Sequence, residues 1–146
     1  RLDAALLRSV WSHGGTLVDR TRALSGDALE MNDFILGELG SLAASVHHTT
    51  LAAIDINGDR AVSETYFENI LIPHPDKEGK AVNRHVRGRY LDRWSQREGI
   101  CALEYREKLL DFAREQQVTI LFPFRAAIRD LMDPSYSLFT GELALI

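Results

Sequence analysis

Apolar residues recur at helical spacing near the start of the chain and at strand spacing through its middle. Over Leu2–Trp11, Leu6, Leu7, Val10 and Trp11 fall on one face of a predicted helix. HGGTL then reads as a break. Asp27 with Glu30 three residues on forms a capping-box signal, with aspartate in place of serine or threonine. It opens a predicted helix to about Ala44, whose apolar side carries Leu29, Ile35, Leu36, Leu39, Leu42 and Ala43. From His47 the period shortens. His47–Ile56 and Ala61–Ile72, rich in β-branched and aromatic residues, are expected as strands joined at Asn57-Gly58, a pair that tolerates the positive φ of a tight hairpin. PHPDKEGK is a charged loop with two prolines, between strands or at a sheet edge. Val82–Gln96 and Ile100–Phe112 form a second expected hairpin around QREG. VTILFPF is a strand or a buried apolar run broken by Pro123. RDLMDPSYSLF is a helix end and loop. Helices followed by four consecutive antiparallel strands predict an α+β domain with a curved sheet over helices.

Asp55, Asn57 and Asp59 invite a second reading of the turn, as half of a calcium loop. The spacing rejects it. An EF-hand loop needs glycine at its sixth position and glutamate at its twelfth. Counting from Asp55, those places hold Arg60 and Tyr66.

The 146 residues are most simply one domain, 45% hydrophobic and 26% charged, with a net charge of −4. That balance points away from a non-specific nucleic-acid binder. No stretch has the length of a membrane span. Cys101 is the lone cysteine, so a disulfide framework and a thiolate zinc site are both excluded, and a reducing cytoplasm is the expected compartment. The five histidines are scattered without metal-ligand spacing. There is no nucleophile elbow, phosphate loop or zinc-protease helix, so no metal or cofactor is expected. The alternating arginines of NRHVRGRYLDR make one charged strand face and, without an aromatic platform, a weak nucleic-acid signal.

LDAALLRSVW, the SVHHTT…IDINGDRAVSETYF hairpin, GRYLDRWSQREG and a terminal DPSY, in that order, resemble the SnoaL-like branch of the nuclear transport factor 2-like superfamily. The resemblance covers roughly residues 1 to 112 plus Asp133–Tyr136. It implies a cone-shaped α+β barrel, a bent antiparallel sheet wrapped on helices around one deep apolar pocket. By the same resemblance a first helix lies upstream of residue 1, and residues 113–146 are a tail packed on the body or on a neighbouring subunit. It also implies either cofactor-independent lyase or isomerase chemistry on a small hydrophobic, cyclic or aromatic molecule, or a non-catalytic ligand-binding or association module. His47 matches the family's catalytic histidine; the carboxylate that orients it would fall just before Arg1. Tyr90 and Arg106 match positions that line or polarise the pocket. Trp11, Thr65, Phe67, Asn69 and Val86 fall on its ligand side. Association as a homodimer or homotrimer through a sheet face carrying Glu64, Tyr66 and Glu68 is a further expectation.

Each position also has a plainer reading. Alternation sends His47 and His48 to opposite faces, and a histidine at the start of a half-buried strand is often structural. Thr65, Phe67 and Asn69 share one face, either a ligand wall or ordinary core. Arg106 is either an electrophilic group or half of an ion pair with Glu104 or Asp92. Tyr90 either donates a hydrogen bond to a ligand carbonyl or fills space. Glu64 and Glu68 form a solvated or subunit-facing row.

Overall fold

The computed structural model describes residues 3–119 (backbone alone at 51 and 119). The chain runs α1 (Ala4–Ser9), β1 (Trp11–Asp19), β2 (Leu24–Asp27), α2 (Ala28–Gly40), β3 (Ala44–Asn57), β4 (Arg60–Ile72), β5 (Lys80–Arg97) and β6 (Ile100–Thr119). One sheet holds the six strands in the order β2-β1-β6-β5-β4-β3. Every neighbouring pair is antiparallel except β1 with β6, which run parallel. This is the expected α+β architecture, a mostly antiparallel curved sheet with helices, enlarged by two strands.

The added strands correct the start of the chain. The expected helix over Leu2–Trp11 ends at Ser9, capped at its head by the Asp3 side chain. Trp11 opens β1, and HGGTL lies inside that strand. Trp11, Gly15, Leu17 and Asp19 are its buried positions. The two glycines absorb an irregularity rather than ending an element. Gly14 takes a φ of +72°, and the register against β6 shifts between Trp11 and Thr16. Gly15 lets the strand close on the Trp11 ring, since a Cβ there would stand 2.9 Å from Trp11 Cε3.

Asp27 caps α2 as expected, its carboxylate accepting from the backbone N–H of Leu29 and Glu30. The helix ends at Gly40, four residues early, because Ala44 already pairs with Ile72 in the sheet. Its packed face also differs. Ala28 and Asn32 are buried and Met31 and Ile35 pack on the core, whereas Leu29 is exposed. The i, i+3, i+4, i+7 row that meets the sheet contains an asparagine, which hydrophobic periodicity alone does not select.

Both long hairpins form. In the first, Asn57 pairs with Arg60, so the two-residue loop is Gly58-Asp59 rather than Asn57-Gly58. Gly58 alone takes positive φ, the pattern of a type II′ turn. In the second, Glu98-Gly99 bridges Arg97 and Ile100 with positive φ at both residues, as a type I′ turn requires. Residues 113–119, expected in the tail, continue β6 and pair with Lys80–Val86. The rest of the tail, with DPSY, lies outside the described residues. Trp11, Leu17, Ala28 and Leu103 form the core, with Met31, Ile35 and Trp94 packed against it. No helix among the described residues is long and apolar enough to cross a membrane.

Candidate functional site

Strand alternation and register build the site rung by rung. Thr65 lies opposite Tyr90, Phe67 opposite Gly88, Asn69 opposite Val86 and Ser63 opposite Asp92. Tyr90 and Asp92 in turn face Lys108 and Arg106, which stand beside Asp19 and Leu17 of β1. These residues share the sheet face that carries Trp94 and receives α2.

Tyr90 is the centre of this row. Its ring stacks on Phe67 with centroids 4.5 Å apart and planes inclined by 24°. The Arg106 guanidinium carbon lies 4.3 Å from the Tyr90 ring centroid, within cation–π range. Asn69, itself buried, hydrogen-bonds the phenol. Burial pushes the Tyr90 pKa up; Arg106 and the Asn69 hydrogen bond pull it back only in part, and Asp92 and Asp19 raise it further. The phenol is therefore a neutral O–H donor across the physiological range.

Arg106 donates from Nε and Nη2 to the two oxygens of Asp92, both at 2.8 Å. The Asp92 side chain is only 1% exposed, and the fork gives each of its oxygens a charged donor. Nη1 is left outside the pair. Arg106 is thus ion-paired with Asp92 and also lies against the Tyr90 ring.

A second pair lies one rung along. Lys108 Nζ is 3.1 Å from Asp19 Oδ2, and Thr21 N–H donates to Asp19 Oδ1 at 3.0 Å. Burial pushes the Asp19 carboxyl up, but the charge and hydrogen bond of Lys108, with the bonds from Thr21, outweigh it and the net displacement is downward. Neither residue was a sequence candidate. The signal was the alternation Leu17-Val18-Asp19, hidden while HGGTL read as a break.

His47 faces Asn69 across the β3–β4 pair and His48 faces Glu68, so the two histidines do lie on opposite faces, with His47 on the Asn69 side. Both are exposed on the outermost strand. Phe67 and Asn69 are buried and Thr65 and Val86 half-buried on the same face. Trp11 lies in the core, on the rung of Leu103 and Trp94.

The opposite face is a lattice of charge. Arg89 bridges Glu64 at 2.9 Å and Asp111 at 3.3 Å, and Arg87 binds Glu68 at 2.8 Å. Glu64 and Glu68 are therefore cross-strand ion-pair partners rather than a carboxylate dyad. Two grooves, of about 490 and 580 Å³, open on this side around Asp55, Val62, Arg93 and Tyr105. They are separated from the Tyr90–Arg106 row by the sheet itself. Among the described residues no three His, Cys, Asp or Glu side chains gather as a metal set.

Neither a protein-family model nor a curated protein sequence matches the chain. Solved structures do. A type 2 hexachlorocyclohexane dehydrochlorinase superposes with a TM-score of 0.67 at 12% identity, over 84% of this chain and 82% of that one. A candidate scytalone dehydratase from Novosphingobium aromaticivorans gives 0.66 at 14% identity, over 86% and 83%. A protein of unknown function with a cystatin-like fold, from Nostoc punctiforme, gives 0.57 at 17% identity, over 75% and 77%. The chain has the cystatin-like, nuclear transport factor 2-like fold, shared by dehydratases, dehydrochlorinases and proteins of no known activity.

Proposed function

We propose that this protein is a cofactor-independent lyase or isomerase acting on a small hydrophobic, cyclic or aromatic molecule held against the Phe67–Tyr90–Arg106 face. His47 takes a proton from a ring carbon beside an activating group. The electron pair moves into a neighbouring carbonyl, or expels a leaving group with its bonding electrons. Tyr90 O–H and the Arg106 guanidinium oppose the negative charge that develops. Phe67 and Val86 supply apolar contact, and Thr65 and Asn69 set orientation; Trp11 contributes from the core side. The observation that carries this reading is the half-buried, neutral Tyr90 phenol with the Arg106 guanidinium 4.3 Å from its ring, on the face that His47 shares.

A second reading, a non-catalytic ligand-binding module, draws support from two observations. His47 is exposed, and Asp92 already balances the charge of Arg106. Incubation in deuterium oxide with a panel of cyclic ketones, scytalone and hexachlorocyclohexane separates the two. Exchange of a ring proton, loss of water or release of chloride, each abolished in His47→Gln, supports catalysis. Binding without any of the three supports the module. Self-association through the Glu64–Tyr66–Glu68 face and a reducing, cytoplasmic setting complete the proposal. Light scattering giving a monomer mass at high concentration would reject the former.

A further inference from the structure

Two hydrogen-bond donors in the interior have no acceptor among the described residues: Trp11 Nε1 and Asn32 Nδ2. Both side chains are deeply buried, Trp11 at 9% exposure and Asn32 at 3%. Buried polar groups in folded proteins nearly always find a partner, so two such orphans ask for an explanation. An indole N–H can only donate, which fixes the chemistry that would satisfy it. The two belong to one interior. Asn32 lies on the α2 face that carries Ala28, Met31 and Ile35; Ala28 shares the core cluster with Trp11, and Met31 and Ile35 pack against that cluster. Trp11 stands on the rung of Leu103 and Trp94, one rung from Leu17 and Arg106. The neighbouring Trp94 indole shows the contrast, since it donates to Ser63 Oγ at 2.9 Å.

We infer that Trp11 Nε1 and Asn32 Nδ2 form an acceptor-reading wall of the interior, and that the ring compound it takes carries a carbonyl or hydroxyl oxygen rather than being a pure hydrocarbon or halocarbon. This rests on the proposed reading of the interior as a ring-binding site. A halogenated ring would leave both N–H groups desolvated and unmatched, and a site built to bond a ligand oxygen rejects the analogue that lacks it. An oxygenated ring answers one or both donors.

Calorimetric titration with α-tetralone and with tetralin, which differ by one carbonyl, tests the inference on the full chain. The ketone is expected to bind at least about tenfold more tightly, roughly the value of one good buried hydrogen bond. Asn32→Leu, which keeps volume and removes one donor, and Trp11→Phe, which removes the other, are each expected to narrow the ratio of the two affinities, and the double variant to bring it close to one. Circular dichroism reports whether each variant folds, and the comparison in the unsubstituted protein needs neither. Equal affinity for the two compounds overturns the inference and leaves the proposed function standing. Binding of neither overturns both.

Discussion

Phe67 lies directly across the backbone of Gly88. A Cβ built at Gly88 would stand 2.8 Å from Phe67 Cζ and would overlap the carbonyl oxygen of Leu109. The absence of a side chain there is what lets the Phe67 ring settle flat enough to stack on Tyr90. Gly88→Ala is expected to cost about 1–3 kcal/mol, the usual range for overpacking. It should also tilt Phe67 off Tyr90, which a change in the near-ultraviolet tyrosine signal at constant far-ultraviolet signal would report. An unchanged stack would show that β6 yields instead.

Asp92 and Arg106 behave as one unit. Asp92→Asn leaves the guanidinium partly buried without its counter-charge, and Arg106→Gln leaves a carboxylate 1% exposed without its fork. Each single change is expected to destabilise by roughly 3–5 kcal/mol. The double variant should lose much less than the sum. Urea unfolding of the four proteins measures the coupling, and strict additivity would deny it.

Stability should respond to acid through Asp19. Its folded pKa is displaced downward, so its contribution is complete above the unfolded value, near 4, and is lost as pH falls through the folded one. Glu107, held low by its hydrogen bonds from Arg20 and Tyr105, acts in the same direction from the surface. Unfolding free energy should therefore be nearly flat from about pH 7 to pH 5 and fall steeply below about pH 4. Asp19→Asn isolates one share of that slope, and an Asp19→Asn protein as acid-sensitive as the parent would count against the assignment.

Under the proposed chemistry, His47→Gln should keep the fold and lower turnover by roughly two to four orders of magnitude, the range for a positioned general base. His48→Gln, on the face of Glu68, should change turnover little. Loss of activity only with His48→Gln would move the site to the other side of the sheet.

The middle of the chain was legible because its information is local. A turn pair and the alternation on either side fix each hairpin, so the shared face of Thr65, Phe67 and Asn69 followed from counting by twos. The sides taken by His47 and Arg106 did not, because register shifts between Thr49 and Ala52 and between Arg93 and Trp94 separate them from their turns; the resemblance, not the count, pointed to them and to Tyr90. The exact loop residues did not, because Asn57 and Asp59 both suit a turn and only the register chooses between them. β1 was illegible for the opposite reason. Its two glycines carry breaker signals, and its partner β6 lies far off in sequence. With β1 went Asp19 and Lys108, which no short window brings together. On α2 the cap was plain, but the buried row includes Asn32, a polar residue that pattern reading places outside.

The parallel pairing of β1 with β6 also bears on how the molecule assembles. Asp19 and Lys108 are 89 positions apart, while each hairpin closes across two residues. Closing so long a loop carries an entropic penalty that local turns avoid. The meander β3–β6 is thus the natural early structure, and β1 a late arrival that must wait for β6 to emerge before it has an edge to join. Until then Trp11 and Leu17 remain exposed to solvent. In a pulsed hydrogen-exchange experiment the amides of β4 and β5 should gain protection first and those of β1 last, so a nascent chain halted before β6 would present its future core as an open, adhesive surface.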